Sequence, residues 1–304
     1  MSGNFKIRMG CLFVVLNLMF GISFIWAQED HALAAFGKQI LEAKTQQDLY
    51  APFEGLKDYF FAANKYSEFV NYLNSLGQKK KELEPFLNTY TALARYQHLK
   101  YLEEKQLWDE YFSQGNAYRD ELTQNAQKVI DATTAPDGLH ARASLVLWQF
   151  HKDQQDAFEE EALSRLISSV SGLVVSGQDM RLIKDIADKL SAYGEKGKSK
   201  ELYKAYAQRI IASETKEEAL ADTASGFYKE GNLELAQNLY DAYVERVAGA
   251  GSKEKLTAVL TDIAKAFVYR DAAANDPVYA EKMFKKLEEA AGQEIFDQEL
   301  IYLR

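Results

Sequence analysis

The chain contains 304 residues, of which 36 are basic and 45 acidic, giving a formal net charge of −9 at pH 7. This balance argues against binding to nucleic acid or to an anionic lipid surface, because both require a net basic footprint. The single cysteine, Cys11, excludes a disulfide framework and a thiolate metal site, and the presence of only four prolines favours helix.

Residues 1–27 have the pattern of a secretory signal peptide. Lys6 and Arg8 precede an apolar run of about 16 residues that ends at the small residue Ala27. We predict cleavage after Ala27, which leaves an exported chain of residues 28–304 in the periplasm or outside the cell, with no later membrane span. The alternative is an uncleaved N-terminal anchor, although the run is shorter than the roughly 20 residues that cross a bilayer.

A helix pair is predicted over residues 53–76. One helical stripe precedes a turn at Asn64-Lys65 and a second follows it, each at the spacing that places apolar side chains on one face. The two stripes consist of Phe53, Leu56 and Phe60, and of Phe69, Tyr72, Leu73 and Leu76.

Residues 88–170 are also periodic and helical, without a clear repeat register. Within them Trp108, Tyr111 and Phe112 form an aromatic cluster that we predict to be packed in the core. Residues 131–140 are the clearest break in the pattern. We interpret this break as a loop between two helix pairs, with a weak sub-domain boundary as the alternative, because the helical periodicity continues on both sides.

An internal repeat is clearest in residues 180–290. Residues 187–210 match residues 224–247 at an offset of 37, and a third, more divergent copy follows at an offset of 40. Each copy carries two helices with four apolar positions on one face, too many to bury without a neighbouring copy. The positions on the first helices are Ile183, Ile186, Ala187 and Leu190; Leu220, Thr223, Ala224 and Phe227; and Leu260, Ile263, Ala264 and Phe267.

The second copy resembles a tetratricopeptide (TPR) repeat. The likeness is carried by Leu220, Ala224, Phe227, Gly231, Asn232, Ala236 and Tyr240. The copies differ from the family in their spacing, which is near 34 residues in TPR proteins. They also differ at Tyr206, Tyr243 and, in the upstream pair, Lys57, where a small residue is usual. The resemblance implies an all-α fold over residues 28–304, an α-solenoid of stacked antiparallel helix pairs forming a TPR-like superhelix.

The resemblance also implies where a partner would bind. In TPR arrays the first helix of each pair lines a concave groove. The groove positions map onto Lys184, Asp188, Tyr228, Lys229, Lys265 and Tyr269. Mixed charge with tyrosine suits a peptide or a partner helix; the alternative is that these are ordinary solvent-facing residues.

Two motifs resemble sites of chemistry and are better explained by the repeat. Residues 192–199 fit a relaxed P-loop, but a P-loop follows a buried strand, and a helix is predicted here, with Gly194 in an inter-helix turn. Residues 252–255 match the SxxK pattern without the companion motifs or α/β context. We interpret Ser252 as a helix N-cap and residues 215–218 as a capping box.

No catalytic residue, cofactor or metal site is predicted. The histidines show neither an i, i+4 pair nor an HExxH motif, and we expect them on the surface. They are His31, His98, His140 and His151.

The sequence favours a non-catalytic scaffold or adaptor that binds a protein or peptide partner through a helical-repeat groove. The TPR resemblance implies a role in assembling envelope complexes. Two alternatives stay open: the helical part of a larger cell-envelope enzyme, like the superhelix of lytic transglycosylases, or a self-associating structural protein. The partner, the oligomeric state and whether the chain is complete at Arg304 also stay open, since residues 294–303 are helix-like and still apolar.

Overall fold

The computed structural model describes residues 31–176, 179–213, 217–269 and 276–291. Every regular element in these ranges is helical, and none of them is a strand, which confirms the all-α class. The elements are α1 (31–42), α2 (Gln47–Ala62), α3 (Tyr66–Lys79), a 3₁₀ turn (Lys81–Leu83), α4 (Glu84–Glu104), α5 (Trp108–Asp131), α6 (Asp137–Gln154), α7 (Glu159–Ser176), α8 (Met180–Ala192), α9 (Lys196–Ala212), α10 (Glu217–Lys229), α11 (Leu233–Gly249), α12 (Lys253–Tyr269) and α13 (Pro277–Ala291).

Three features predicted from the sequence lie outside the described residues in whole or in part. They are the signal peptide (1–27), the threonine end of the capping box (215–218) and the apolar C-terminal stretch (294–303).

The helices form two compact units that divide between residues 173 and 174, near the end of α7. The break predicted at 131–140 is elsewhere in the chain. It contains a short loop, residues 132–136, that joins α5 to α6 within the first unit.

The first unit is built around a core of aromatic and aliphatic side chains from α2, α3, α4, α5 and α6. The predicted pair over 53–76 is present as α2 and α3, and the rings of Phe60 and Phe69 lie 5.5 Å apart between them. Phe53 of α2 stacks against Phe86 and Tyr90 of α4, with 5.1 Å between ring centroids in both contacts. These contacts tie consecutive helices into one core.

The second unit contains three helix pairs, α8–α9, α10–α11 and α12–α13. The first two pairs are alike: α8 and α10 each have 13 described residues, and α9 and α11 each have 17. Gly194 and Gly231 occupy the same turn with φ of 88° and 80°, a left-handed conformation that glycine adopts without steric cost. The predicted repeat is therefore a repeat of structure.

Small residues let the two helices of a pair approach. Ser199 of α9 is buried, and its hydroxyl donates to the Ala187 carbonyl of α8 at 2.8 Å. Ala236 takes the equivalent place in the next copy and is fully buried. Serine satisfies its own polar atom at this contact, so it can replace alanine there.

Neighbouring pairs of the second unit are joined by hydrogen bonds to backbone carbonyls. Arg246 of α11 donates to the carbonyls of Ile211 and Ser213, at 2.5 and 2.8 Å. Tyr228 of α10 donates to the Ala266 carbonyl of α12 at 2.6 Å. Consecutive pairs thus pack side by side, which is compatible with a helical repeat.

The predicted N-cap at Ser252 is confirmed, because the Lys255 amide donates to Ser252 Oγ at 3.3 Å at the start of α12. We expect Ser252→Ala to lower the free energy of unfolding by about 1 kcal/mol, measured by urea denaturation. Ser252→Asp is the control and should retain most of the stability, since aspartate also caps. Equal losses in both variants would contradict a capping role.

Candidate functional site

The predicted groove residues lie on the first helices of the second unit, α8, α10 and α12. These helices are neighbours: Tyr228 bonds α10 to α12, and Lys184 of α8 lies 3.1 Å from Glu230 just after α10. We define the first-helix face as the charged residues Lys184, Asp188, Lys229, Glu230 and Lys265, of which Lys229 and Glu230 are exposed and the other three half-buried.

Lys184 and Asp188 belong to one charge network. The Lys184 ammonium lies 3.2 Å from Asp188 Oδ2, and the Tyr203 hydroxyl donates to Asp188 Oδ1. Burial lowers the Lys184 pKa, but hydrogen bonds to Glu230 and Asp188 outweigh it, so the pKa is raised. Burial and the Asp188 contact raise the pKa of Tyr203. Lys184 therefore stays charged at neutral pH, with the carboxylates of Asp188 and Glu230 around it.

The other predicted residues differ in accessibility. Tyr228 is only 4% exposed and packs on Phe267, with 4.6 Å between ring centroids, so it joins helices and offers a partner almost no surface. Lys229 is exposed and Lys265 is half-buried. Tyr269 is the last residue of α12, and its side chain lies outside the described part of the structure.

The P-loop look-alike forms the turn between α8 and α9. Two of its amides are bonded within the turn: Glu195 donates to the Leu190 carbonyl at 2.8 Å and Gly194 to the Ser191 carbonyl at 3.1 Å. The hydroxyl of Ser199 is bonded to α8, as described above. A helix precedes the turn, so the segment lacks the buried strand that leads into a P-loop.

The prediction that the histidines lie on the surface is wrong for His98. Its ring is 7% exposed and stacks between Tyr66 and Tyr118, with centroids 5.3 and 4.8 Å away. Burial lowers the His98 pKa, against the opposing charge of Glu110, whose Oε1 lies 3.4 Å from Nε2. The ring is therefore neutral at pH 7.

The remaining histidines also have partners, apart from exposed His31. His151 Nδ1 lies 2.7 Å from Asp156 Oδ2, and His140 Nε2 lies 2.8 Å from the Ala132 carbonyl. Among the described residues, no group of three or more His, Cys, Asp or Glu side chains is arranged to hold a metal ion.

A half-buried charge cluster in the first unit was not predicted from the sequence. Glu54 Oε1 accepts from the Tyr90 hydroxyl at 2.6 Å and from Arg142 at 2.8 Å, while Oε2 accepts from Lys57 at 2.5 Å. Burial raises the Glu54 pKa, but Arg142, Lys57 and Tyr90 together outweigh it and lower the pKa. The signal was Lys57 itself, a lysine where the repeat expects a small residue.

The prediction that Trp108, Tyr111 and Phe112 pack in the core is wrong for two of the three. Trp108 is 42% exposed and Phe112 is 76% exposed, while Tyr111 is half-buried. The buried residues of α5 lie on one face of the helix, and Tyr111 continues that face towards the N-terminus. Phe112 is the next residue, about 100° around the helix, so it lies off the buried face. Two large aromatic side chains therefore face solvent at the start of α5.

Two open grooves run beside second helices. One in the first unit, about 560 Å³, is lined by residues of α5, α6 and the α6–α7 loop that include Gln127, Leu147 and Phe158. One in the second unit, about 470 Å³, lies between α9 and α11. Its carboxylates Glu234 and Asp241 are ion-paired with lysines of neighbouring helices, so it offers little uncompensated charge.

Comparison with known proteins yields no match among protein-family models, curated proteins or solved structures. Within the described residues, no helix combines the length and the apolar composition needed to cross a membrane.

Proposed function

We propose that this chain is a non-catalytic scaffold that binds a protein partner through the first-helix face of its second unit. The observation that carries the proposal is a pair of side-chain links, Lys184 of α8 to Glu230 after α10 and Tyr228 of α10 to the Ala266 carbonyl of α12, which connect the charged first helices of separate repeats. TPR-like repeats offer this kind of surface, and the sequence resemblance supports assigning the chain to that class.

The chemistry of the face supports a polypeptide as the partner. Lys184 is held by two carboxylates, whereas Lys229 is exposed on the next repeat. Mixed charges held by ion pairs suit the side chains of a peptide or helix, because complementary charges set the register of an interface. A phosphate ligand is disfavoured by Asp188 and Glu230, which would repel it.

Export to the periplasm or the cell exterior is part of the proposal. It rests on the basic start and short apolar run of residues 1–27 and on cleavage after Ala27. The absence of cysteine from residues 28–304 means that the exported chain depends on packing and needs no oxidative folding step.

The double variant Lys229→Glu/Lys265→Glu tests the binding face. We expect the variant to recover its specific partner about tenfold less than the wild-type chain, because reversed charges oppose the partner's complementary groups. The measurement is crosslinking in exported fractions, followed by affinity capture and quantitative mass spectrometry.

The control is Lys253→Glu/Lys285→Glu, which makes the same charge change at two exposed lysines elsewhere in the unit. It should capture partners as the wild type does. Equal recovery by both double variants would reject the first-helix face. Capture of the chain's own copies alone would assign the face to self-association.

A further inference from the structure

The turn between α4 and α5 carries an exposed apolar surface in the first unit. Leu107 and Trp108 are each 42% exposed, and Phe112 is 76% exposed. We define these three residues as the α5 aromatic patch. Large apolar side chains that cluster on a surface mark interaction sites more often than single exposed ones do.

The patch rests on a fixed base. Trp108 and Phe112 stack with 6.1 Å between their centroids, and the Tyr111 ring meets both edge-on at 5.7 Å. Arg119 donates to the Tyr111 hydroxyl at 2.6 Å and lies 4.9 Å over its ring. Aromatic side chains held in this way lose little conformational entropy when a partner covers them.

The charge around the patch is acidic. Glu103, Glu104 and Asp109 are exposed beside it, and none of them forms an ion pair with another described residue. Glu110 adds a fourth carboxylate, against two cations: Lys105 in the turn and Arg119, which lies over the Tyr111 ring. An apolar centre with a net acidic rim is complementary to a ligand with an apolar face and flanking positive charges.

We propose that the α5 aromatic patch docks a basic amphipathic helix of a partner protein. The apolar face of that helix covers Trp108 and Phe112, and its lysines or arginines meet Glu103, Glu104 and Asp109. An anionic membrane presents the wrong charge for this rim. The inference rests on the proposed function, because both assume that the chain binds protein. The surface it uses lies in the first unit, whereas the first-helix face lies in the second.

Titration with a designed helical peptide of leucine and lysine tests the proposal, with a leucine–glutamate peptide of the same pattern as comparison. We expect the lysine peptide to shift the fluorescence emission of Trp108 to shorter wavelength and to protect Trp108 from quenching by acrylamide. In a chain that starts at Gln28 and so omits Trp26, Trp108→Phe should abolish both changes, because Trp148 is fully buried. The glutamate peptide should produce neither.

Phe112→Ser should weaken binding of the lysine peptide by about thirtyfold, the loss typical of an interface hot spot. Phe158→Ser is its matched control, since Phe158 is 61% exposed in the same unit, and should bind normally. Reversal of Glu103, Glu104 and Asp109 to lysine should abolish binding. Reversal of three other exposed acids, Glu160, Glu201 and Glu254, should not.

Equal binding of the two peptides, or equal loss in Phe112→Ser and Phe158→Ser, would overturn the proposal. So would a dimer in sedimentation that Phe112→Ser converts to monomer, because a second copy would then cover the patch. Normal peptide binding with no effect of Lys229→Glu/Lys265→Glu on capture would reject the first-helix face alone. Loss of capture in that variant with no peptide binding would reject this inference alone.

Discussion

Phe227→Ala is expected to lower the free energy of unfolding by about 3–5 kcal/mol. Phe227 is fully buried in the second unit, and its ring lies 5.4 Å from that of Tyr203 and 6.1 Å from that of Tyr206. The deletion leaves a cavity at the contact between two repeats, where the structure relaxes only in part. Domains are stable by about 5–15 kcal/mol, so the loss should be plain in denaturation followed by far-ultraviolet circular dichroism.

Phe158→Ala is the control for the loss of an aromatic ring, because Phe158 is largely exposed. Its effect should stay within about 0.5 kcal/mol. Phe227→Leu should fall between the two, since it refills much of the cavity. If Phe227→Ala were as mild as Phe158→Ala, the contact between repeats would not be the packed core described above.

Glu54→Ala is expected to lower the free energy of unfolding by about 2–4 kcal/mol. Glu54 accepts hydrogen bonds from Tyr90, which is fully buried, and from Arg142 and Lys57. Removing the carboxylate takes away the acceptor that all three donors share. The loss should stay below that of a fully buried ion pair, because the cluster is partly exposed and Lys57 keeps Asp58 as a partner at 3.1 Å.

The pH dependence of the unfolding free energy separates the contribution of the Glu54 charge from that of its acceptor oxygen. Its folded pKa is lowered, so its contribution to stability is present above the ordinary glutamate pKa of about 4.3 and is lost as pH falls through the folded value. Glu54→Gln retains an acceptor oxygen without a charge. The difference in unfolding free energy between wild type and Glu54→Gln should therefore shrink on acidification. A difference that stays constant with pH would contradict the charge argument.

The repeat could be predicted because its apolar positions serve one purpose in every copy. Ala187 and Ala224 both lie where two helices touch, and both are fully buried. A position that allows only a small residue carries one in each copy. Comparing the sequence with itself at the offset of 37 therefore reveals the repeat. The structure places the predicted copies at corresponding helices, with their turns at Gly194 and Gly231.

The first unit was less predictable for a physical reason. α4 buries residues around most of its circumference, including Phe86, Arg95 and His98, so it has no polar face for periodicity to detect. Its buried Arg95 is paired with a residue distant in sequence, Glu121 of α5, at 2.6 Å. Such pairs depend on which helices meet, which one sequence does not encode locally.

In the candidate binding surfaces, too, contacts within one helix could be predicted and contacts between helices could not. Lys184 and Asp188 were predictable as a pair because i and i+4 meet on one helix turn. Their link to Glu230 depends on the next repeat. The exposure of Trp108 and Phe112 was missed because apolar spacing marks a helical face without saying whether another helix covers it.

The two similar helix pairs of the second unit also bear on how a repeat chain lengthens during evolution. α8–α9 and α10–α11 match in the number of described residues of each helix and in the left-handed glycine at their turns. A cassette of 37 residues can therefore be duplicated in a gene and still meet its neighbours through the same contacts.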